Sequence, residues 1–473
     1  MSPSVADLDT GNGAGRDAGD GGGARPRAAR GRVATVLVHL GMLGLSQVGV
    51  TLAAFGTQIL LARSLPQEAF GTFTAALAVV SLTAPLAVFG VPELWLQRFG
   101  REGERARRWV GPSLRVAAAG SGLTVAGILA WSLVEWSDPV AAGVRALLAT
   151  VVVAQAALAL VGTVQQLRGD YQGLSALQVA PHLARVLVVL AVWAFGASVL
   201  AAAAGYAVVA VLTVLACVPV MLPFLRGEAP LEGHPRDLPP GSPSRVGAAR
   251  VTGAATPFVL GNLFYLLGMY LGTVVAAEFL SPSAAAVLAV PMSVLTAVYL
   301  VPRVVYQQYF LARLHRWSGT DRDAVLIAYR WGGLGMLALG TVLAALVALG
   351  GLPVLPFLLG PEYRESATVM ALLALAIPFR FAGAAVASLL TSGGLLRRKV
   401  AYQGVGALVF LVALAVATPL WGVRGTAVAT VVAEVILCTL FWTAVRRRVV
   451  GDAPLPSWHD LRRRLTRETP RAS

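Results

Sequence analysis

The sequence predicts an all-α polytopic membrane protein, with about twelve transmembrane helices in two six-helix bundles. Three observations carry that prediction. The chain of 473 residues is 57% apolar and only 13% charged, with mean hydropathy +0.72, where soluble domains carry about a quarter charged residues. Apolar runs long enough to cross about 30 Å of hydrocarbon recur along it. Arginines cluster in alternate connections between those runs, as the positive-inside rule requires of a multi-pass chain.

Each element follows in order. Residues 1–32 are rich in Gly, Ala, Asp and Arg, cannot bury a core, and read as a disordered cytoplasmic tail. Val33 to Ala62 holds only His39 as an ionisable group, and it is too long for a signal-peptide core, so it reads as an uncleaved first span. Val251 to Ala277, Phe279 to Pro302, Trp331 to Pro361 and Val400 to Val423 are uncharged throughout, one span each. The uncharged stretch between Arg185 and Arg226 is too long for one helix, and Phe195-Gly196-Ala197-Ser198 supplies a turn that divides it. Spans are thus expected near residues 47, 81, 123, 153, 185, 210, 262, 295, 340, 378, 410 and 435.

The Pro- and Gly-rich segment 226–250 divides a first bundle, 33–225, from a second, 251–446, with a basic tail at 447–473. Weak internal likenesses support two parallel repeats: Ser64-Leu65-Pro66 resembles Leu280-Ser281-Pro282, and Phe195-Gly196-Ala197-Ser198 resembles Trp421-Gly422-Val423-Arg424.

An even number of spans puts both termini on one side. Basic residues gather at the N-terminus (Arg16 to Arg32), at Arg98 to Arg108, Arg226 to Arg250, Arg313 to Arg330, Arg397 to Lys399, and Arg446 onward. The intervening loops hold little beyond Arg63, Arg145, Arg364 and Arg424. Both termini are therefore expected in the cytoplasm, the protein being a multi-pass component of the cell membrane. The same asymmetry accounts for the net charge of +15 without nucleic acid as a partner.

Several chemistries are excluded. Lys399 is the one lysine and follows Arg397-Arg398, so no GxxxxGK[ST] phosphate loop exists. His39, His182, His234, His315 and His459 are scattered, without metal-ligand spacing. Cys217 and Cys438 fall inside separate spans. No cofactor, metal or catalytic residue is expected, and the chain reads as a transporter rather than an enzyme.

Candidate functional residues are polar groups placed mid-membrane, where a charge costs at least about 2.5–3.5 kcal/mol and faces a cavity or a partner. Arg185, Arg380 and Glu434 qualify, with Arg380 and Glu434 a candidate ion pair. His182 stands one turn before Arg185 on the same helix face. Gln47 and Gln58 in the first span, and Asn262, Tyr265 and Tyr270 in the seventh, either bond between helices or line a substrate path. Arg115, Glu278 and Arg303 lie near span ends, within reach of water.

Two stretches resemble the Wzx-like polysaccharide flippases of the multidrug/oligosaccharidyl-lipid/polysaccharide (MOP) exporter superfamily. The first is Gln58-Ile-Leu-Leu-Ala-Arg-Ser-Leu-Pro-Gln-Glu-Ala-Phe-Gly-Thr-Phe73. The second runs from Leu355 to Arg448 and includes Phe357-Leu-Leu-Gly-Pro-Glu-Tyr363, Gly393-Gly394-Leu395-Leu396-Arg397-Arg398-Lys399 and Leu420-Trp421-Gly422-Val423-Arg424-Gly425-Thr426-Ala427. The resemblance implies a MATE-like pair of six-helix bundles around a basic cavity. It also implies export of an undecaprenyl-pyrophosphate-linked glycan, with a polysaccharide polymerase or glycosyltransferase as protein partners. One departure concerns the cavity: the family often carries charges in the seventh span, and here Val251 to Ala277 has none. Two alternatives stay open, a cation-coupled small-molecule exporter and a membrane glycosyltransferase or ligase.

Overall fold

Apolar length sets where helices form, and short polar or glycine breaks set where they end. The computed structural model describes residues 44, 46–134, 138–232, 246–305, 322–390, 395–454, 456–457 and 459–460. The expected N-terminal tail, most of the 226–250 linker, the end of the basic tail, and His39, His234, His315, Arg313 and Arg316 lie outside the described residues.

The helices are α1 (46–64), α2 (Gln67–Val88), α3 (Val91–Glu102), α4 (Val110–Val134), α5 (Pro139–Arg168), α6 (Tyr171–Phe195) and α7 (Val199–Leu225). They continue as α8 (Ala248–Phe279), α9 (Pro282–Val305), α10 (Arg322–Leu359), α11 (Pro361–Ser388), α12 (396–421) and α13 (423–450). Among the described residues nine continuous stretches are long and apolar enough to cross a membrane. Two of them, Gln67–Val134 and Leu396–Val450, each hold two helices of membrane-spanning length, which makes eleven, and the described part of α1 stands where the first of the expected twelve lies. The protein is an all-helical, multi-pass membrane protein.

The breaks have local causes. Asp138 caps α5 by accepting from the Val140 and Ala141 amides, Asp170 caps α6 by accepting from Gly173, and Ser198 and Ser281 do the same for α7 and α9. Gly196 and Gly422 both take positive φ, +59° and +57°, at the two turns that resemble each other in sequence. Phe89 and Gly90, both left-handed, end α2 and turn the chain into α3.

Helix α3 is an addition to the expected spans. Its Val91, Leu94, Trp95 and Phe99 are buried on one face, at helical spacing, while Glu93, Arg98 and Arg101 lie off it. It belongs to the connection where only a basic loop was expected. There Arg98 and Arg108 pair with Glu102 at 3.2 and 2.9 Å, and the Arg98 guanidinium stacks 4.1 Å from the Trp109 ring.

The described residues hold together as one compact unit. Helices α2, α4, α5 and α7 pack on one another, as do α10, α11 and α13, and the two sets meet chiefly where α2 runs along α9. That pair touches at backbone distance: a Cβ on Gly71 would lie 1.7 Å from the Pro282 carbonyl oxygen. Phe70, Phe73, Leu61 and Leu65 share a core cluster with Ala286, Leu355, Leu359 and Tyr363 across this seam. Arg63 donates to the Leu358 carbonyl at 2.5 Å, and Arg145 pairs with Glu278 at 3.8 Å. All of these contacts sit at the end away from the arginine-rich connections, called here the opposite end, the other being the basic end.

Candidate functional site

Two cavities open between the helix sets, and together they collect nearly all the polar residues that the sequence singles out. Cavity one, about 340 Å³, is lined by Gln47, Gln58, His182, Arg185 and Tyr270, among others. Cavity two, about 590 Å³, is lined by Asn262, Tyr265 and Arg380 among others. Gln155 and Arg303 line both, so the cavities adjoin.

Cavity one is built mainly by α1, α2, α6, α8 and α9. A polar ladder joins its first and fifth spans: Gln47 Nε2 donates to Gln178 Oε1 at 2.8 Å, and His182 Nδ1 lies 3.0 Å from the Gln178 carbonyl oxygen. With Nδ1–H donating there, the neutral ring leaves Nε2 as an acceptor. One turn on, the Arg185 guanidinium sits 5.2 Å from the Tyr206 ring centroid. The ring is fixed by edge-to-face contact with Phe73 at 5.1 Å and a hydrogen bond with Thr57. Arg185 has no carboxylate partner among the described residues, and its Nε is buried without a hydrogen bond. No Asp or Glu is among the described residues that line this cavity. The Arg185 guanidinium is thus a buried cation without a counter-charge among the described residues.

Cavity two has different electrostatics. Arg380 Nη1 donates to Glu434 Oε1 at 2.5 Å, so the expected ion pair is formed between α11 and α13. The same guanidinium lies 4.4 Å from the Tyr265 ring and 5.1 Å from the Tyr299 ring. Glu434 lines neither cavity and acts only through Arg380. On the other wall Asn262 Nδ2 donates to Glu93 Oε1 at 2.9 Å. Three buried polar atoms of this cavity's lining residues have no hydrogen-bond partner among the described residues: Arg380 Nη2, Tyr299 Oη and Glu93 Oε2.

Helix α8 serves both cavities because it is not regular. In an unbroken α-helix Tyr265 and Met269 would share a face. A π-turn over Leu267–Leu271 inserts a residue between them, so Tyr265 lines cavity two while Met269, Tyr270 and Thr273 line cavity one. The uncharged seventh span thus contributes amide and hydroxyl groups.

Sequence reasoning missed Glu93, Gln155, Gln178 and Tyr299; Arg303 and Lys399, read at span ends, also line cavity two. For Glu93 a signal existed, the helical spacing of its apolar neighbours; for Gln155, a lone amide in an apolar run, the signal was weak.

Membrane-length helices surround two polar cavities, and solved structures share this fold. The chain matches an inward-facing multidrug-resistance MATE transporter of the MOP superfamily at 14% identity and TM-score 0.64, covering 85% of this chain and 95% of that one. It matches the lipid II flippase MurJ in an inward closed conformation at 11% identity and TM-score 0.61, covering 85% and 87%. A MOP transporter from Pyrococcus furiosus, described as having a binding pocket of reversed polarity, matches at 13% identity and TM-score 0.54, covering 87% and 96%. Among curated proteins none matches the sequence. Over residues 37–303, more than half of the chain, the sequence matches the polysaccharide biosynthesis protein family, and the protein belongs to that family.

Proposed function

We propose that this protein translocates a lipid-linked glycan with an anionic, undecaprenyl-pyrophosphate-type headgroup from the cytoplasmic to the outer leaflet of the cell membrane. The observation that carries this reading is cavity one, where Arg185 is held on Tyr206 with no carboxylate among the described lining residues. A pyrophosphate supplies the acceptors that such a guanidinium lacks. A proton- or sodium-coupled small-molecule exporter would need an acidic group there to exchange its ion.

Orientation follows from the arginine distribution, the basic end being cytoplasmic and both termini lying on that side. With the cytoplasm negative, each negative charge carried outward gains about 2.3 kcal/mol per 100 mV, which favours export of an anionic headgroup. The two six-helix halves, 33–225 and 251–446, rock about the α2–α9 seam. The membrane lipid and its glycan are the substrate, and a polymerase or glycosyltransferase that makes or extends the glycan is the natural protein partner.

Depleting the protein from cells and assaying the leaflet exposure of lipid-linked glycans tests the reading. Accumulation on the cytoplasmic face is expected. Failure to synthesise the intermediates would mark a biosynthetic enzyme, and an unchanged, normally distributed pool would contradict glycan translocation.

A further inference from the structure

We infer that cavity two is a subsite for the uncharged saccharide portion of the substrate, read by Tyr265, Tyr299 and a charge-compensated Arg380, while the anionic group belongs to cavity one. The inference rests on the proposed transport of a glycan carried on an anionic headgroup, and it divides that substrate between two chemically distinct walls.

Charge is the first argument. Arg303, Arg380 and Lys399 line cavity two with Glu93, and Glu434 pairs with Arg380 from behind, so the Arg380 guanidinium is compensated although the lining as a whole, with Arg303 shared with cavity one, stays net positive. An anion placed beside Arg380 would compete with Glu434 at 2.5 Å for the same guanidinium. It would also meet Glu93 on the facing wall. Arg185 imposes neither conflict.

Hydrogen-bonding capacity is the second. The lining residues of cavity two hold one orphaned donor, Arg380 Nη2, one orphaned acceptor, Glu93 Oε2, and one hydroxyl able to do either, Tyr299 Oη. Leaving such groups unpaired is costly. A phosphate only accepts, so it cannot satisfy Glu93. Sugar hydroxyls both donate and accept, so they match this mixed set once side-chain rotation brings the three buried atoms to the cavity surface.

Shape is the third. Tyr265 is 41% exposed, with one ring face against the Arg380 guanidinium, and an apolar ring beside convergent polar groups is how ligand pockets fix orientation. Cavity two is also the larger, about 590 against 340 Å³.

The division predicts opposite responses to two probes, inorganic pyrophosphate and maltotriose, titrated by saturation-transfer NMR against the full chain in lipid nanodiscs. Tyr299→Phe removes an orphaned hydroxyl without touching the Arg380–Glu434 pair, so the variant should keep its thermal stability. It and Tyr265→Leu should each weaken maltotriose about ten-fold and leave pyrophosphate within about two-fold. Arg185→Gln should do the reverse. Glu434→Gln frees the Arg380 charge and should raise pyrophosphate affinity while lowering that of maltotriose. Maltotriose binding absent from the wild type, or unmoved by both tyrosine substitutions, would overturn the subsite. If maltotriose depends on the tyrosines but pyrophosphate is indifferent to Arg185, the subsite stands and the anionic-headgroup reading falls. Both probes weakening together in the tyrosine variants would mean one undivided site and would also overturn it.

Discussion

Arg185 and Arg380 are alike in sequence terms, each a lone arginine deep in an apolar span, yet the fold gives them opposite situations. Arg380 is met by Glu434, a residue 54 positions away, at 2.5 Å, and by two tyrosine rings. Arg185 rests on one tyrosine and meets no acid among the described residues. The first charge is largely answered within the protein, and the second has no counter-charge among the described residues. A mid-membrane arginine therefore carries no fixed role. Its counter-charge decides whether its positive charge is spent within the protein or left open to an anion.

That contrast sets the expected effects of mutation. The largest loss of stability should come from breaking the paired arginine. Arg380→Ala leaves Glu434 buried and uncompensated, at a cost of about 3–5 kcal/mol, so membrane-inserted protein should fall sharply in quantitative blots. Arg380→Ala with Glu434→Ala should recover part of that loss, and a double variant no more abundant than the single would deny the pairing its structural role. Arg185→Ala should behave in the contrary way, with abundance retained while pyrophosphate binding drops about ten-fold or more, the scale of a lost charge-assisted hydrogen bond.

Gly71→Val comes next. Its side chain would occupy the space of the Pro282 carbonyl oxygen, so α2 and α9 must separate, with overpacking costs of about 1–3 kcal/mol. Cysteines introduced along cavity one, in a background lacking Cys217 and Cys438, should then label faster with an impermeant maleimide from the opposite end. The smallest effect should be that of Glu365→Gln. Its partner Arg424 stands 3.8 Å away and both side chains are exposed, so a change of under about 1 kcal/mol in thermal stability is expected.

The fold was largely legible in the sequence because crossing a bilayer imposes length and apolarity on every span. The expected centres fall within the observed helices, Gly196 marks the turn it was read to mark, and Gly422, read only as its likeness, takes the same positive φ. Helix α3 escaped because it is short and amphipathic, and the search was for uncharged runs. The candidate site was legible by residue type and not by grouping. Gln47, Gln58, His182 and Arg185 gather in one cavity, Asn262, Tyr265 and Arg380 in another, and no spacing rule separates the sets. The π-turn at Leu267–Leu271 that aims α8 into both has no sequence mark beyond Gly268. Tyr299 and Glu93 matter through orphaned atoms, which exist only once the neighbours are in place.

The most direct test of the account is translocation by the purified protein. In proteoliposomes loaded with a prenyl-pyrophosphate-linked disaccharide, exposure of the sugar to an impermeant lectin should rise with the wild-type protein. Arg185→Gln, inserted at equal density, should lose most of that rise. No protein-dependent exposure, or an Arg185→Gln variant as active as the wild type, would contradict the claim that this cavity carries an anionic glycolipid headgroup across the membrane.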